Sequence, residues 1–93
     1  MRENIIEQKL TTKVNAMGGM AIKFTSPGMD GLPDRLIVLP GGKVTFVEVK
    51  APGEKMRPLQ VWRKKQLEAL GFLVYCIDDV DQIGGMLYEI QSS

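Results

Sequence analysis

Hydrophobic residues recur every three or four positions in three stretches of the chain, which is the pattern of amphipathic helices. The stretches cover residues 3–17, 58–70 and 78–90. Gly18 and Gly71 follow the first two, and glycine commonly ends a helix. In the middle helix we expect one stripe to face the core, formed by Leu59, Trp62, Gln66, Leu67 and Leu70.

Four short runs rich in β-branched and aromatic residues predict strands. They lie at residues 21–24, 34–39, 43–50 and 72–77. Only Pro40-Gly41-Gly42 separates the two central runs, so we expect a hairpin, and their apolar residues on both faces predict a sheet covered on two sides. The order α-β-β-β-α-β-α then predicts one α/β domain over residues 1–93, with a mixed sheet flanked by helices.

The composition is that of a folded soluble domain. Of the 93 residues, 44% are hydrophobic and 25% are charged, which excludes a disordered chain or a coiled coil. The single cysteine, Cys76, cannot form an internal disulfide, and no apolar run approaches the roughly 20 residues of a membrane helix. We therefore expect a cytoplasmic protein with no membrane partner. Because a chain this short buries only roughly 60–65% of the surface that its unfolded state exposes, a partner subunit would stabilise it.

The charges are unevenly distributed, and histidine is absent. Residues 50–65 carry six Lys/Arg and one Asp/Glu, whereas residues 66–93 carry no Lys/Arg and five Asp/Glu. A basic block of this kind attracts polyanions such as DNA, although a solvated helix face would look the same. Without histidine, a metal site must be rich in oxygen ligands, which select hard cations such as Mg²⁺, Mn²⁺ or Ca²⁺ over zinc.

Three charged residues of the predicted hairpin are expected at one edge of the sheet. In an extended strand Glu48 and Lys50 point to the same side, and pairing across the turn places Asp34 beside them. Two adjacent carboxylates repel each other, and a divalent cation removes that penalty. The alternative is an ordinary hairpin in which Lys50 forms an ion pair with one of the two carboxylates.

The wider pattern around these residues resembles a known family. The segment Gly28–Arg35, followed by Phe46-Val47-Glu48-Val49-Lys50 and by Pro58-Leu59-Gln60, resembles the virus-type replication-repair nuclease (VRR-NUC) family, a branch of the PD-(D/E)xK nucleases. The resemblance implies a restriction-endonuclease-like fold and metal-dependent hydrolysis of phosphodiester bonds in DNA, with Mg²⁺ or Mn²⁺ as cofactor. Small viral members look like homodimers that cut four-way (Holliday) junctions.

The resemblance also implies roles for residues of the hairpin. Asp34 and Glu48 match the metal-binding carboxylates, Lys50 matches the catalytic lysine, and Val49 would bind the metal through its backbone carbonyl.

Two further matches lie on the predicted helices. Glu7 matches an acidic residue that completes the site, but Glu3 lies one turn earlier on roughly the same face, and the choice between them stays open. Gln60 matches a glutamine whose amide would orient Lys50 or contact a phosphate.

The basic block follows the predicted active-site strand directly and would draw the phosphate backbone across the cleft. Its DNA-binding residues are predicted to be Lys55, Arg57, Arg63, Lys64 and Lys65. Since no base-reading motif is present, selectivity should rest on DNA shape. The alternatives to an active junction nuclease are a catalytically silent junction-binding module of the same fold and a structural domain whose carboxylates form only surface ion pairs.

Overall fold

The computed structural model describes residues 2–93 and contains one mixed sheet with three α-helices. The elements are α1 (Glu3–Ala16), β1 (Met20–Lys23), β2 (Arg35–Leu39), β3 (Lys43–Val49), α2 (Pro58–Ala69), β4 (Val74–Ile77) and α3 (Ile83–Ser92). A short 3-10 helix at Val80–Gln82 precedes α3. The predicted α-β-β-β-α-β-α order is thereby confirmed. Within residues 2–93, no helix combines the length and the apolar character that crossing a membrane requires.

The strands lie in the order β1-β2-β3-β4. The first three are antiparallel, and β3 and β4 are parallel because the chain between them crosses over through α2. The β2–β3 turn uses Gly41 and Gly42 at φ values of +87° and +73°, a backbone region that glycine adopts without steric cost. Arg35 is paired with Val47 in this hairpin, so the residue before β2 lies beside the end of β3.

One face of the sheet carries the hydrophobic core, which α1 and α3 cover. Every third or fourth residue of both helices is buried there, as their periodicity predicts. Removing each such side chain from water contributes about 1.5–3 kcal/mol. The core comprises Ile6, Leu10, Val14, Ile37, Leu39, Val47, Val49, Ile77, Ile83, Met86, Leu87 and Ile90.

The opposite face of the sheet is flanked by α2, so helices lie on both faces as predicted, but α2 covers this second face only in part. Phe46 of β3 packs edge-to-face between Phe24 and Phe72, with ring centroids 5.8 and 5.4 Å apart. Beyond this aromatic row, Met20 of β1 and Val44 of β3 are 59% and 39% exposed. Helix α2 lies over a different part of this face, near the end of β3, where Gln60 contacts Glu48.

The stripe of α2 that faces the protein is one residue out of phase with the predicted stripe. Gln60 is the one buried residue of Pro58–Ala69, and Arg63 and Leu67 are half-buried. Trp62 and Leu70, expected in the core, are 52% and 75% exposed.

Two contacts account for this rotation of α2. Gln60 donates a hydrogen bond to Glu48 of β3, which turns a polar residue inward. Leu59 packs against Gly31, where a Cβ would lie only 2.7 Å from the Leu59 Cγ atom. Hydrophobic periodicity takes no account of a polar anchor or of a close backbone approach, and for that reason it misplaced the stripe.

Candidate functional site

Asp34 is held at the start of the β2–β3 hairpin by its backbone and its side chain. Its carbonyl oxygen accepts a hydrogen bond from the backbone N–H of Phe24 at 2.9 Å. Its carboxylate oxygen Oδ1 accepts one from the backbone N–H of Val49 at 3.2 Å. The carboxylate is therefore fixed against the end of β3, next to Glu48 and Lys50, as the hairpin pairing predicts.

Glu48 is a buried carboxylate that is only half satisfied. It is 5% exposed, and its Oε2 atom accepts a hydrogen bond from Gln60 Nε2 at 3.2 Å and lies 3.4 Å from Lys50 Nζ. Its Oε1 atom is buried and has no hydrogen-bond partner among residues 2–93. The ion pair of the simpler alternative is thus present, but it leaves one anionic oxygen without a partner. Such an oxygen is costly to bury and fits a cation ligand.

A second group of carboxylates lies where α1 meets the hairpin. Glu3, Glu7 and Asp34 each present one oxygen atom, and these atoms all lie within 4.8 Å of one another. Both candidates from the first helix therefore approach Asp34. The Oε2 atom of Glu7 also forms a 3.0 Å ion pair with Arg35 Nη2.

The pKa values report how strongly these carboxyl groups resist ionisation in the fold. Burial raises the pKa of Glu48, and the negative charge of Asp34 raises it further, against the opposing effect of Lys50. Burial likewise raises the pKa of Asp34, although the Val49 N–H bond acts in the opposite direction. Burial and the charge of Glu7 raise the pKa of Glu3. A divalent cation would oppose all three shifts, because it favours the ionised form of each group.

Gln60 joins the start of α2 to the site. Its Oε1 atom accepts a hydrogen bond from the backbone N–H of Arg57 at 2.9 Å, which closes the first turn of the helix. Its Nε2 atom donates to Glu48. The amide therefore reaches Lys50 only through Glu48.

The predicted DNA-binding residues differ in how far their charges are available. Lys55, Arg57 and Lys65 are exposed, and Lys64 is half-buried. Arg63 makes internal contacts.

The guanidinium of Arg63 is held from three sides. It donates at 2.9 Å to the carbonyl oxygen of Asp30 and at 2.9 Å to Gln66 Oε1, and its carbon lies 4.9 Å from the ring centroid of Trp62. These contacts tie the loop before β2 to α2.

Arg35 is a residue of the site that the sequence reasoning missed. Alternation along β2 places it on the same side as Ile37 and Leu39, both of which are buried in the core. A guanidinium in phase with core residues must find a partner, and this was the available signal. Its partner is Glu7.

The chain is similar to known proteins over most of its length. A protein of Acyrthosiphon pisum secondary endosymbiont phage 1 named "Putative nuclease p44" is 51% identical over 81 residues, which are 87% of this chain and 87% of that protein. A solved structure of a VRR_NUC domain matches with a TM-score of 0.85 and 26% sequence identity, covering 92% of this chain and 94% of that one. No protein-family model matches the chain.

Replacing Asp34 with asparagine should stabilise the metal-free protein at pH 7, because the folded state resists ionisation of this carboxyl. A carboxyl with a raised pKa contributes stability that is present below the pKa of the unfolded chain and is lost as the pH rises through the folded-state pKa. Asparagine keeps the acceptor for Val49 N–H. We expect thermal melts without metal to give Asp34→Asn a melting temperature a few degrees above that of the wild type at pH 7, and a smaller difference at pH 4.

The control for this experiment is Asp81→Asn, which removes the same charge from an exposed position. An Asp34→Asn protein that is less stable than the wild type at pH 7 would show that the Asp34 carboxylate stabilises the folded state without a cation.

Gln60→Glu separates the two hydrogen bonds of Gln60. The introduced carboxylate can still accept from Arg57 N–H, but it cannot donate to Glu48 and repels it at neutral pH. We expect a melting temperature at pH 7 lowered by several degrees and a smaller deficit at pH 5, where the introduced carboxyl is partly protonated and can donate again. Equal deficits at both pH values would mean that the bond to Glu48 is unimportant.

Proposed function

Because the chain belongs to the VRR-NUC family of nucleases, we propose that it is an endonuclease that hydrolyses phosphodiester bonds in DNA with Mg²⁺ or Mn²⁺ as cofactor. The observation that carries this proposal is the buried, unpartnered Oε1 atom of Glu48 beside Asp34. A purely structural ion pair would leave that oxygen without a partner, whereas a hard cation would satisfy it. The proposal places this activity in the cytoplasm of the host cell.

The residues that would hold the cation are the carboxylates of Asp34, Glu48 and Glu7, together with the backbone carbonyl of Val49. All four are oxygen donors, as Mg²⁺ and Mn²⁺ prefer. When bound, the cation supplies Lewis-acid polarisation of a phosphodiester oxygen and a water of lowered pKa.

Lys50 provides the positive charge of the reaction. Its side chain is 14% exposed and its ammonium nitrogen lies 3.4 Å from Glu48 Oε2, which holds it at the edge of the site. From this position it would orient a water molecule or stabilise the negative charge that develops on the phosphate. Gln60 supports both residues through its bond to Glu48.

DNA would be held by the basic residues that follow β3. Lys55 and Arg57 lie between the active-site strand and α2, and Lys65 is exposed on that helix. Lys64 and Arg63 are half-buried beside them. Contacts of this kind bind phosphates without reading bases, so we propose that the substrate is recognised by shape, as a four-way junction.

We also propose that the protein acts as a homodimer, which would bring two sites to the two strands of a branched substrate. The support is a row of apolar side chains on the uncovered sheet face. Met20 is paired with Val38, and Val38 with Val44, so the row crosses three strands. Ile22 and Phe72, each 38% exposed, extend it. A contiguous exposed apolar surface of this kind is typical of an interface.

Cleavage should require the cation and the residues assigned to it. We expect the wild type to cut a synthetic four-way junction in Mg²⁺ and to lose this activity in EDTA. Asp34→Ala and Lys50→Ala should each lower the cleavage rate by about 100-fold or more, because each removes a group that stabilises the transition state. Gel analysis of labelled junctions measures the rate, and Lys9→Ala, an exposed lysine of α1, is the control.

Equal products from the wild type and both site variants would assign the cleavage to a contaminant. Tight binding of the junction without cleavage in Mg²⁺ would instead identify the catalytically silent binding module.

Met20→Lys should convert the dimer to a monomer, because it places a charge within the proposed interface. Sedimentation equilibrium measures the mass, and Tyr88→Lys is the matched control, since Tyr88 is 73% exposed on α3. We expect the dissociation constant of the dimer to rise at least about tenfold in Met20→Lys, which corresponds to about 1.4 kcal/mol. Dissociation by Tyr88→Lys alone would locate the interface on the helical side.

A further inference from the structure

Arg35 occupies an unusual position for a charged residue. It is the first residue of β2 and lies on the side of the strand that faces α1 and the core. Its side chain is only 12% exposed. Because a guanidinium stays charged at every accessible pH, it must be paired when it is buried to this extent.

The contacts of Arg35 link α1, which carries Glu7, to Asp34 at the start of the hairpin. Its Nη2 atom lies 3.0 Å from Glu7 Oε2 on α1. Its Nη1 atom donates to the carbonyl oxygen of Asp34 at 3.1 Å. One planar group therefore bridges the helix and the residue that begins the hairpin, and it restricts where the Oε2 atom of Glu7 can lie.

Glu7 needs such a restraint if it is to face Asp34. Its side chain is 26% exposed, so it has room to turn towards solvent. Oxygen atoms of Glu3 and Asp34 lie within 4.8 Å of a Glu7 oxygen, and their negative charges favour that movement. The ion pair with Arg35 opposes it and engages only the Oε2 atom.

We propose that Arg35 is a positioning residue, which holds one oxygen of Glu7 so that its carboxylate is directed towards Asp34 and is ready to bind the cation. Partners that orient metal ligands in this way commonly change metal affinity although they do not touch the metal. This inference rests on the proposed metal-dependent function, and it assigns a role to a residue of the Gly28–Arg35 segment for which the resemblance implied none.

The test compares Arg35→Lys with the wild type by calorimetric titration with Mn²⁺. Lysine keeps the positive charge but lacks the fork, so the variant isolates orientation from charge. We expect the dissociation constant for Mn²⁺ to rise about 10–100-fold. The same titration of Glu7→Gln and of the double variant shows whether Arg35 acts through Glu7. If it does, Arg35→Lys causes no further loss in the Glu7→Gln background.

Unchanged or tighter Mn²⁺ binding by Arg35→Lys would overturn the inference, and tighter binding would identify Arg35 as a competitor of the cation. Additive losses in the double variant would also overturn it, because they mean that Arg35 acts independently of Glu7. If the wild type itself takes up no Mn²⁺, the proposed metal use fails together with this inference. If the wild type binds Mn²⁺ and Arg35→Lys binds it equally well, this inference fails while the proposed metal use stands.

A measurement on the wild type covers the case in which Arg35→Lys does not fold. With ¹⁵N-labelled arginine, restricted rotation of the Arg35 guanidinium gives separate N–H signals in NMR spectra. We expect these signals to persist when Mg²⁺ saturates the site, because the guanidinium stays paired with Glu7. Their collapse on addition of Mg²⁺ would show that the cation displaces Arg35, which contradicts a positioning role.

Discussion

The burial of the Glu48 carboxylate at the end of β3 is the constraint on which the rest of the site depends. An ionised carboxylate away from water is tolerated only when it is paired and hydrogen-bonded. Lys50 and Gln60 satisfy its Oε2 atom, whereas Oε1 has no partner among residues 2–93. The neighbouring elements are placed accordingly: the hairpin brings Asp34 alongside, and α2 begins where its first turn can donate to Glu48. The site therefore lacks a partner for one buried carboxylate oxygen, and a cation would be a suitable partner.

The same strand supplies both the stability and the chemistry of the molecule. In β3, Val47 and Val49 point into the core that α1 and α3 cover, and Glu48 points to the opposite side. A shift of one residue in the β2–β3 pairing would exchange these two sets, exposing the valines and burying the charge in the core. The glycine turn at residues 41–42 and the core residues of β2 hold the register, so packing far from the site determines where the carboxylates lie.

Sequence reasoning predicted the element order, the hairpin and the buried stripes of α1 and α3, because each depends on local periodicity or turn chemistry. It also placed Asp34 beside Glu48, since strand alternation and hairpin pairing are sufficient for that. It misplaced the stripe of α2, where Trp62 is exposed and Gln60 is buried. It also overestimated the covering of the second sheet face. Both errors have one origin, because periodicity identifies a stripe but not the surface against which it packs.

The positions where the pattern of hydrophobic residues fails are informative about function. In α2 the inward residue is a glutamine that bonds to Glu48, and in β2 a residue in phase with the core is an arginine that pairs with Glu7. At both positions a polar contact to an acidic residue of the site takes the place of apolar burial. Folded chains depart from local consistency mainly where a site requires it. That both departures lead to carboxylates around Asp34 is therefore independent support for a functional centre at this edge of the sheet.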